Sequence, residues 1–215
     1  MSSPKPTKKE LVTEFRTREI LAAARNLLEQ SGVDRLTMDG IAAAAGVAKG
    51  TLYLYFPSKE ELIQELLSQV GDNIITNLQS IIKTPQPPEA KLEQVVTWLM
   101  HHLARERLIF PVFLRELRRV HDPVPGQRRR MQEFEEKISA LLTDLFAEGI
   151  EKGRFIPANP LLFSFILRGL VRAVGHYQMT KGEEAAVKEA LPVLLTLLSS
   201  GLTPKSSTAI EVVTP

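Results

Sequence analysis

Apolar residues along most of this chain recur three or four positions apart, which is the period of an α-helix with one buried face. The pattern is clear from Ile20 to Leu28 and again from Leu62 to Ile81. The sequence shows no convincing strand pattern and no internal repeat. The periodicity predicts an all-α fold of about nine helices, covering residues 7–31, 37–45, 49–56, 58–83, 89–105, 107–120, 127–152, 161–179 and 183–200.

Several predicted helix ends carry local signals. Thr7 with Glu10, and Ser58 with Glu61, fit capping boxes, in which two side chains satisfy free N–H groups of the first turn. Gly46 is expected to end the short helix 37–45, which begins at the N-cap Thr37. Pro192 lies inside the last helix, where its missing N–H and its ring should kink or split the helix.

Helices 37–45 and 49–56 form a helix-turn-helix unit, and the second helix is unusual. Its inner face carries Leu52 and Phe56, four positions apart. Lys49 places a cation in the first turn, where the helix dipole disfavours one. Gly50 weakens the helix, and Leu54 is apolar on the outer face.

A DNA major groove accounts for these three features together. Lys49 can meet a phosphate or guanine, Gly50 allows close backbone approach, and Leu54 can touch a thymine methyl group. The alternative is that Leu54 and the flanking tyrosines pack against another part of the same protein. A helix-turn-helix identified from spacing alone does not decide between them.

Composition limits the class of protein. The 215 residues are 44% hydrophobic and 24% charged, with a net charge of +2, as in ordinary globular proteins. The absence of Cys excludes disulfides and thiolate metal sites. No apolar run approaches the roughly 18 residues of a membrane span. The N-terminus lacks the apolar core of a secretion signal. We therefore expect a cytoplasmic protein that does not bind membranes.

Two segments, TREILAAARNLLEQSG and LTMDGIAAAAGVAKGTLYLYFPSKEELI, strongly resemble the DNA-binding domain of the tetracycline-repressor (TetR) family of bacterial regulators, over about residues 14–65. The rest of the chain resembles that family in length and helix layout. The resemblance implies a homodimer in which each protomer places helix 49–56 in the major groove of one half-site of a palindromic operator. It also implies an effector pocket and a dimer interface in the C-terminal helices.

The resemblance also implies which residues touch DNA. The family's contact positions correspond to Thr37, Lys49, Gly50, Thr51, Tyr53, Tyr55 and Lys59. Leu54 joins this set from the argument on the outer face of the helix. Ala48 departs from the family pattern, which usually has Ser there, and the change removes a helix cap worth about 1 kcal/mol.

The expected domain organisation has four parts. Residues 1–13 form a flexible arm, 14–60 the helix-turn-helix DNA-binding domain, 61–202 the helical effector-binding and dimerisation domain, and 203–215 a disordered tail.

Helix 161–179 is apolar almost all round, apart from one stripe of Ser164, Arg168, Arg172 and His176. Such a helix must be covered on more than one side. We expect one face to pack within the protomer and another to join a four-helix dimer bundle with helix 183–200. The central helix of a monomer is the alternative. The dimer-interface candidates are Gly169, Leu170, Ala173, Leu191, Leu194 and Leu198.

The effector-pocket candidates are mostly aromatic and uncharged, which suits an apolar or flat aromatic effector. They are Trp98, His102, Phe110, Phe113, Phe134, Ile138, Phe163, Leu167 and Tyr177. Each of them is also compatible with an ordinary place in the core. Of the neighbours His101 and His102, we expect one to be exposed and the other buried.

Other functions are weaker interpretations. The four histidines lie in separate helices or a turn, and no HExxH or ExxH pair is present. We therefore expect no catalytic residues, no metal and no cofactor. A helical adaptor whose helix-turn-helix binds protein is a third possibility. Within the regulator class, the sequence favours a repressor, with an activator as the alternative.

Overall fold

A computed structural model of the protein describes residues 7–32, 35–106, 109–112, 127–182 and 184–203, and for residues 127–129 it describes the backbone alone. These ranges contain helices, turns and no strand. The predicted all-α class is therefore confirmed.

The helices are numbered here in chain order. They are α1 Lys8–Ser31, α2 Met38–Ala44, α3 Lys49–Tyr55, α4 Lys59–Ile82, α5 Pro88–Arg105, α6 Gln127–Glu151, α7 Pro160–Lys181 and α8 Leu191–Leu202, with a π-helical turn, Ala186–Ala190, directly before α8.

Three predicted segments lie partly outside the described residues. Most of predicted helix 107–120 lies outside them, although residues 110–112 are helical. Of the predicted tail, residues 204–215 lie outside them, as do residues 1–6 of the predicted arm.

The start of α1 corrects the expected extent of the N-terminal arm. The Thr7 side chain accepts a hydrogen bond from the Glu10 backbone N–H, and the Glu10 carboxylate accepts one from the Thr7 backbone N–H at 2.6 Å. This capping box begins the helix at Lys8. Residues 8–13 therefore belong to the predicted helix over residues 7–31 and not to the arm predicted over residues 1–13.

Pro192 divides the last helix as expected. It lies in the first turn of α8, where the hydrogen-bonding pattern changes from that of the preceding π-helical turn. The π-helical turn immediately before it accommodates the interruption.

The chain divides into two compact units, residues 1–72 with 108–131, and residues 73–107 with 132–215. In the first unit, α1 packs on α2 and α2 packs on α3. All three of these helices and α4 contribute fully or almost fully buried side chains: Ile20, Leu21, Ala24, Ile41, Leu52 and Leu62. The predicted domain boundary after residue 60 lies inside this unit.

In the second unit, α5 packs on α7, α8 and the π-helical turn. The largest side chains of its core are fully buried: Val95, Met100, Leu142, Leu145, Phe146 and Leu167. Two hydrogen bonds connect segments of this unit that are far apart in the sequence. The buried Gln178 amide donates to the Leu103 carbonyl at 3.2 Å, and the Ile156 N–H donates to the Leu202 carbonyl at 2.8 Å.

An ion-pair cluster joins α5 to α6 in the same unit. The buried Lys91 ammonium lies 2.9 Å from the Glu148 carboxylate, which also binds Lys152 at 2.6 Å. Hydrogen bonds from Lys152 and then Lys91 hold the pKa of Glu148 below its ordinary value. Among the residues described, Lys91 is the one buried lysine of this unit, and the Glu148 carboxylate supplies the opposite charge that it needs.

Gly149 is where the packing of α6 tolerates no side chain. A Cβ at this position would overlap the ring of Phe155, which is itself buried against Phe146 with 5.9 Å between ring centroids. We expect Gly149→Ala to lower the free energy of unfolding by about 1–3 kcal/mol, because overpacking forces the ring or the backbone to move.

Chemical denaturation at fixed protein concentration measures this change. The matched control is Gly201→Ala in α8, where a Cβ meets nothing within 4 Å. Ala is a better helix former than Gly, so the control should keep or raise the free energy of unfolding. Equal stability of the two variants would contradict the packing argument.

Candidate nucleic-acid interface

The first part of the candidate interface is the start of α2. Thr37 is its N-cap, and the Thr37 Oγ1 accepts a hydrogen bond from the Gly40 N–H at 3.1 Å. A Cβ at position 40 would lie only 3.1 Å from that same hydroxyl oxygen. Gly40, which weakens a helix interior, therefore leaves room for the cap. The prediction of Thr37 as the N-cap is confirmed.

A tight turn then redirects the chain from α2 to α3. The Val47 N–H donates to the Ala42 carbonyl at 3.0 Å, and the Gly46 N–H donates to the Ala43 carbonyl at 3.2 Å. These two bonds are the Schellman pattern, which requires a left-handed residue after the helix. Gly46 supplies it with φ 64°. This turn sets the angle at which α3 leaves the domain.

The inner face of α3 holds the helix in place. Leu52 is 0% exposed and Phe56 is 5% exposed, and Ile41 on α2 is completely buried. Leu52 and Phe56 are the residues that the four-residue spacing predicted to face inward. Ala48, the N-cap of α3, makes no side-chain capping hydrogen bond. Burial of the inner face, rather than capping, therefore stabilises this seven-residue helix.

The outer face of α3 is open. Leu54 is 84% exposed and Tyr53 is 41% exposed, so Leu54 is not packed against the residues that the structure describes. A Cβ at Gly50 would meet nothing within 4 Å. Of the other predicted contact residues, Thr37 and Lys49 are exposed, while Thr51, Tyr55 and Lys59 are half-buried. Every residue of the predicted set is thus at least partly accessible to solvent.

The sequence reasoning missed one residue of this surface. Asp39, in the first turn of α2, is paired with Lys49, in the first turn of α3, at 2.7 Å between Oδ1 and Nζ. The hydrogen bond and charge of Asp39 raise the pKa of the Lys49 ammonium. One feature of the sequence could have indicated this pair: Asp39 and Lys49 lie in the first turns of the two consecutive helices of one helix-turn-helix unit.

A second candidate site is an open groove of about 740 Å³ along α5 in the second unit. Trp98 gives it an aromatic wall, and the Trp98 ring stacks on His102 with 4.7 Å between centroids. His101 and Arg105 bring polar groups to the same groove. As expected, one histidine of the adjacent pair is exposed, His101, and the other, His102, is buried.

The predicted effector-pocket residues do not gather around this groove. Trp98 lines it, whereas Ile138 and Leu167 are buried in the core of the second unit. The half-buried Phe163 ring lies 5.3 Å from the Phe146 ring. Tyr177 is an exposed residue whose hydroxyl donates to Glu189. Ile138, Phe163, Leu167 and Tyr177 therefore have contacts within the protomer, and of these residues Trp98 alone lines the groove.

Three further members of that predicted set come from other parts of the chain. Phe110 belongs to the first compact unit, and Phe113 lies outside the residues that the structure describes. Phe134 is half-buried on α6.

The polar stripe of α7 packs against α6. The Arg168 guanidinium binds the Glu135 carboxylate at 2.6 Å, and Arg172 binds the same group at 3.2 Å. Burial is the main cause that lowers the pKa of Arg168, against the opposing effect of Glu135. Ser164 is completely buried and donates to the Ser139 carbonyl at 3.4 Å. Ser164, Arg168 and Arg172 of the stripe therefore make contacts within the protomer, whereas His176 is exposed.

Helices α7 and α8 also carry exposed apolar side chains. They are Leu161, Leu162, Phe165, Ile166, Val193 and Leu197. Gly169 and Ala173, two predicted interface residues, are exposed on the same turns of α7. Leu170, Leu191 and Leu198 are half-buried. Leu194 corrects the prediction, since it is 4% exposed and already covered by its own chain.

The described part of the chain contains no group of three or more His, Asp or Glu side chains placed to hold a metal ion. No helix among the described residues combines the length and apolar character that crossing a membrane requires.

Comparison with known proteins matches both parts of the chain. Residues 20–66 match the family described as bacterial regulatory proteins, tetR family. Residues 85–187 match the family described as Tetracyclin repressor-like, C-terminal domain. The first match contains α2, α3 and their connecting turn.

Individual relatives agree with this result. The nucleoid occlusion factor SlmA of Escherichia coli is 33% identical over 93 residues, which is 43% of this chain and 47% of the relative. The chain thus covers about half the length of the curated relatives it matches. A TetR/AcrR-family transcriptional regulator from Thermobifida fusca aligns with a TM-score of 0.75 and 21% identity, covering 87% of this chain and 98% of the other.

A third relative is the fatty acid degradation regulator FadR from Bacillus halodurans. Its structure aligns with a TM-score of 0.67 and 26% identity, covering 86% of this chain and 98% of the other. The two family matches together extend over the helix-turn-helix and most of the C-terminal helices, and the chain therefore belongs to the TetR family of bacterial regulatory proteins.

Proposed function

We propose that the protein is a homodimeric transcriptional regulator that binds a palindromic DNA operator through α3 and responds to a small-molecule effector. The observation that carries the proposal is the outer face of α3. It combines a cation, an open glycine and an 84% exposed leucine at Lys49, Gly50 and Leu54. A helix that served only the fold would not need these three choices together.

The proposed roles follow from groove chemistry. Lys49 donates to guanine acceptors or to a phosphate, and Leu54 contacts a thymine methyl group. Thr37, Thr51, Tyr53, Tyr55 and Lys59 bind phosphates at the rim or add base contacts. Gly50 allows the start of α3 to approach the groove floor closely. Leu54 is the residue that contributes most to the protein's own sequence preference.

The dimer is proposed to form through α7 and α8. Their exposed faces carry large apolar side chains, including Phe165, Ile166 and Leu197. Gly169 and Ala173, on the same turns, permit close helix approach. Two copies related by a two-fold axis would bury these faces in a four-helix bundle. Each dimer then presents two α3 helices to two half-sites.

The effector is proposed to be a small molecule with an apolar or aromatic part. The α5 groove supports this, since Trp98 provides a flat wall and His101 and Arg105 lie beside it. The similarity to a regulator of fatty acid degradation is compatible with an apolar effector. An effector that favours a different separation of the two α3 helices weakens operator binding, because both half-sites are read at a spacing fixed by the DNA. Repression is the simplest outcome, with activation as the alternative.

The proposal predicts that Lys49→Ala combined with Tyr53→Ala removes operator binding without unfolding the protein. Genomic fragments recovered with the wild-type protein supply the operator, and gel shifts across a salt series measure affinity. The double variant should show no specific operator shift at any salt concentration of the series, since it loses the donor at Lys49 and the contact at Tyr53. Lys137→Ala, on α6, is the control and should retain affinity. Unchanged specific binding by the double variant would mean that α3 is not the reading helix.

A second prediction separates folding from binding at Gly50. Its open surroundings admit a methyl group, so Gly50→Ala should raise the free energy of unfolding by about 0.5–1 kcal/mol. The same methyl group should weaken operator affinity by keeping α3 away from the groove floor. Thermal unfolding and gel shifts measure the two effects. A variant that is more stable and binds as well as the wild type would exclude close approach at this position.

A third prediction concerns the dimer. Ile166→Glu places a charge in the proposed bundle and should convert the protein to monomers, with operator affinity falling because the half-sites are no longer linked. Sedimentation velocity measures the oligomeric state. The control is Leu11→Glu, which changes a similarly exposed apolar residue on α1. A dimeric Ile166→Glu protein would place the interface elsewhere.

A further inference from the structure

The Asp39–Lys49 pair places a negative charge on the surface that we assign to DNA. Asp39 is 68% exposed at its side chain and Lys49 is 59% exposed, so both groups are accessible from the outer side of the helix-turn-helix. A carboxylate at such a surface opposes binding to any duplex, because it adds like charge next to phosphates.

The positions of the two residues explain why they pair. Asp39 lies in the first turn of α2, where the helix dipole favours an acid. Lys49 lies in the first turn of α3, where the dipole disfavours a cation, and that turn contains no acidic residue of its own. Asp39 thus supplies across the turn the negative charge that α3 lacks. The contact at 2.7 Å fixes the ammonium at the end of a side chain that is otherwise flexible.

The pair has different consequences for random and specific DNA. Binding to random duplex depends on lysines that find phosphates and release counterions. A Lys49 side chain that is paired with Asp39 contributes little net charge to the binding of random duplex. Binding to the operator needs a donor at one place in the groove. A lysine ammonium has three donors, so it can keep Asp39 and still donate to guanine O6 or N7.

We infer that Asp39 is a specificity-determining residue: it holds the Lys49 ammonium in position for a base edge and withholds it from sequence-independent phosphate binding. The inference rests on the proposed reading of DNA by α3. Asp39 lowers affinity for random duplex more than affinity for the operator, and so widens the ratio between them. It acts on DNA through Lys49 and is a positioning residue.

Asp39→Asn tests the inference, because the amide keeps the size of the side chain and removes its charge. Affinities for the operator and for a random duplex of equal length are measured across a salt series. Random-duplex affinity should rise by about three- to tenfold at low salt, with the salt slope steeper by about 0.9, the value of one additional phosphate contact. Operator affinity should rise less or fall, so the specificity ratio decreases.

Three further variants make the test specific. Asp72→Asn removes an exposed acid from α4 in the same compact unit and should leave both affinities unchanged. Asp39→Glu retains the charge and should keep random-duplex affinity low. In a Lys49→Ala background, Asp39→Asn should raise random-duplex affinity by less than in the wild type, since it then removes only the repulsion between the carboxylate and the phosphates. Thermal unfolding of each variant confirms that the fold is retained.

The outcomes distinguish this inference from the proposed function. If the wild type binds its operator and Lys49→Ala weakens that binding, but Asp39→Asn leaves the specificity ratio unchanged, only the role of Asp39 is wrong. An equal rise in random-duplex affinity with and without Lys49 would make Asp39 a general surface charge and would also overturn the inference. If Lys49→Ala leaves operator affinity intact, the reading role of α3 fails first.

Discussion

The burial of Leu52 and Phe56 is the contact on which the candidate interface depends. A helix of seven residues does not persist alone in water, because the cost of nucleating the first turn is recovered only over longer stretches. Helix α3 also begins without a side-chain cap and contains a glycine. Its stability must therefore come from the inner face, where Leu52 is completely buried. Once that face is fixed, the rotation of the helix is fixed as well, and Leu54 must point outward.

The turn before α3 adds the second constraint. Burial sets the rotation of the helix about its axis, whereas the Schellman bonds at Gly46 set its angle to α2. Both are needed to bring Lys49 within reach of Asp39, ten positions earlier in the chain. The ion pair is thus a product of the local geometry, and it reports that the two helix starts share one surface.

Much of this geometry was predictable because its causes are local in sequence. Thr37 was expected as an N-cap, and its side-chain oxygen accepts a backbone hydrogen bond from Gly40 at 3.1 Å. The inward positions on α3 followed from four-residue spacing. The Asp39 contact was not predictable in this way, since spacing within one helix says nothing about distances between two helices.

The C-terminal helices show the same limit more strongly. Helix α8 is apolar on nearly all sides, so periodicity cannot identify which face is covered by its own chain, and Leu194 proved to be buried there. Helix α7 was easier to orient because its polar residues mark one face. The structure shows that this face binds Glu135 inside the protomer, which leaves the exposed apolar face for another contact. The Arg168 guanidinium in this stripe is buried and needs a partner of opposite charge. The position of Glu135 on α6 therefore determines which side of α7 packs within the protomer and which side remains free.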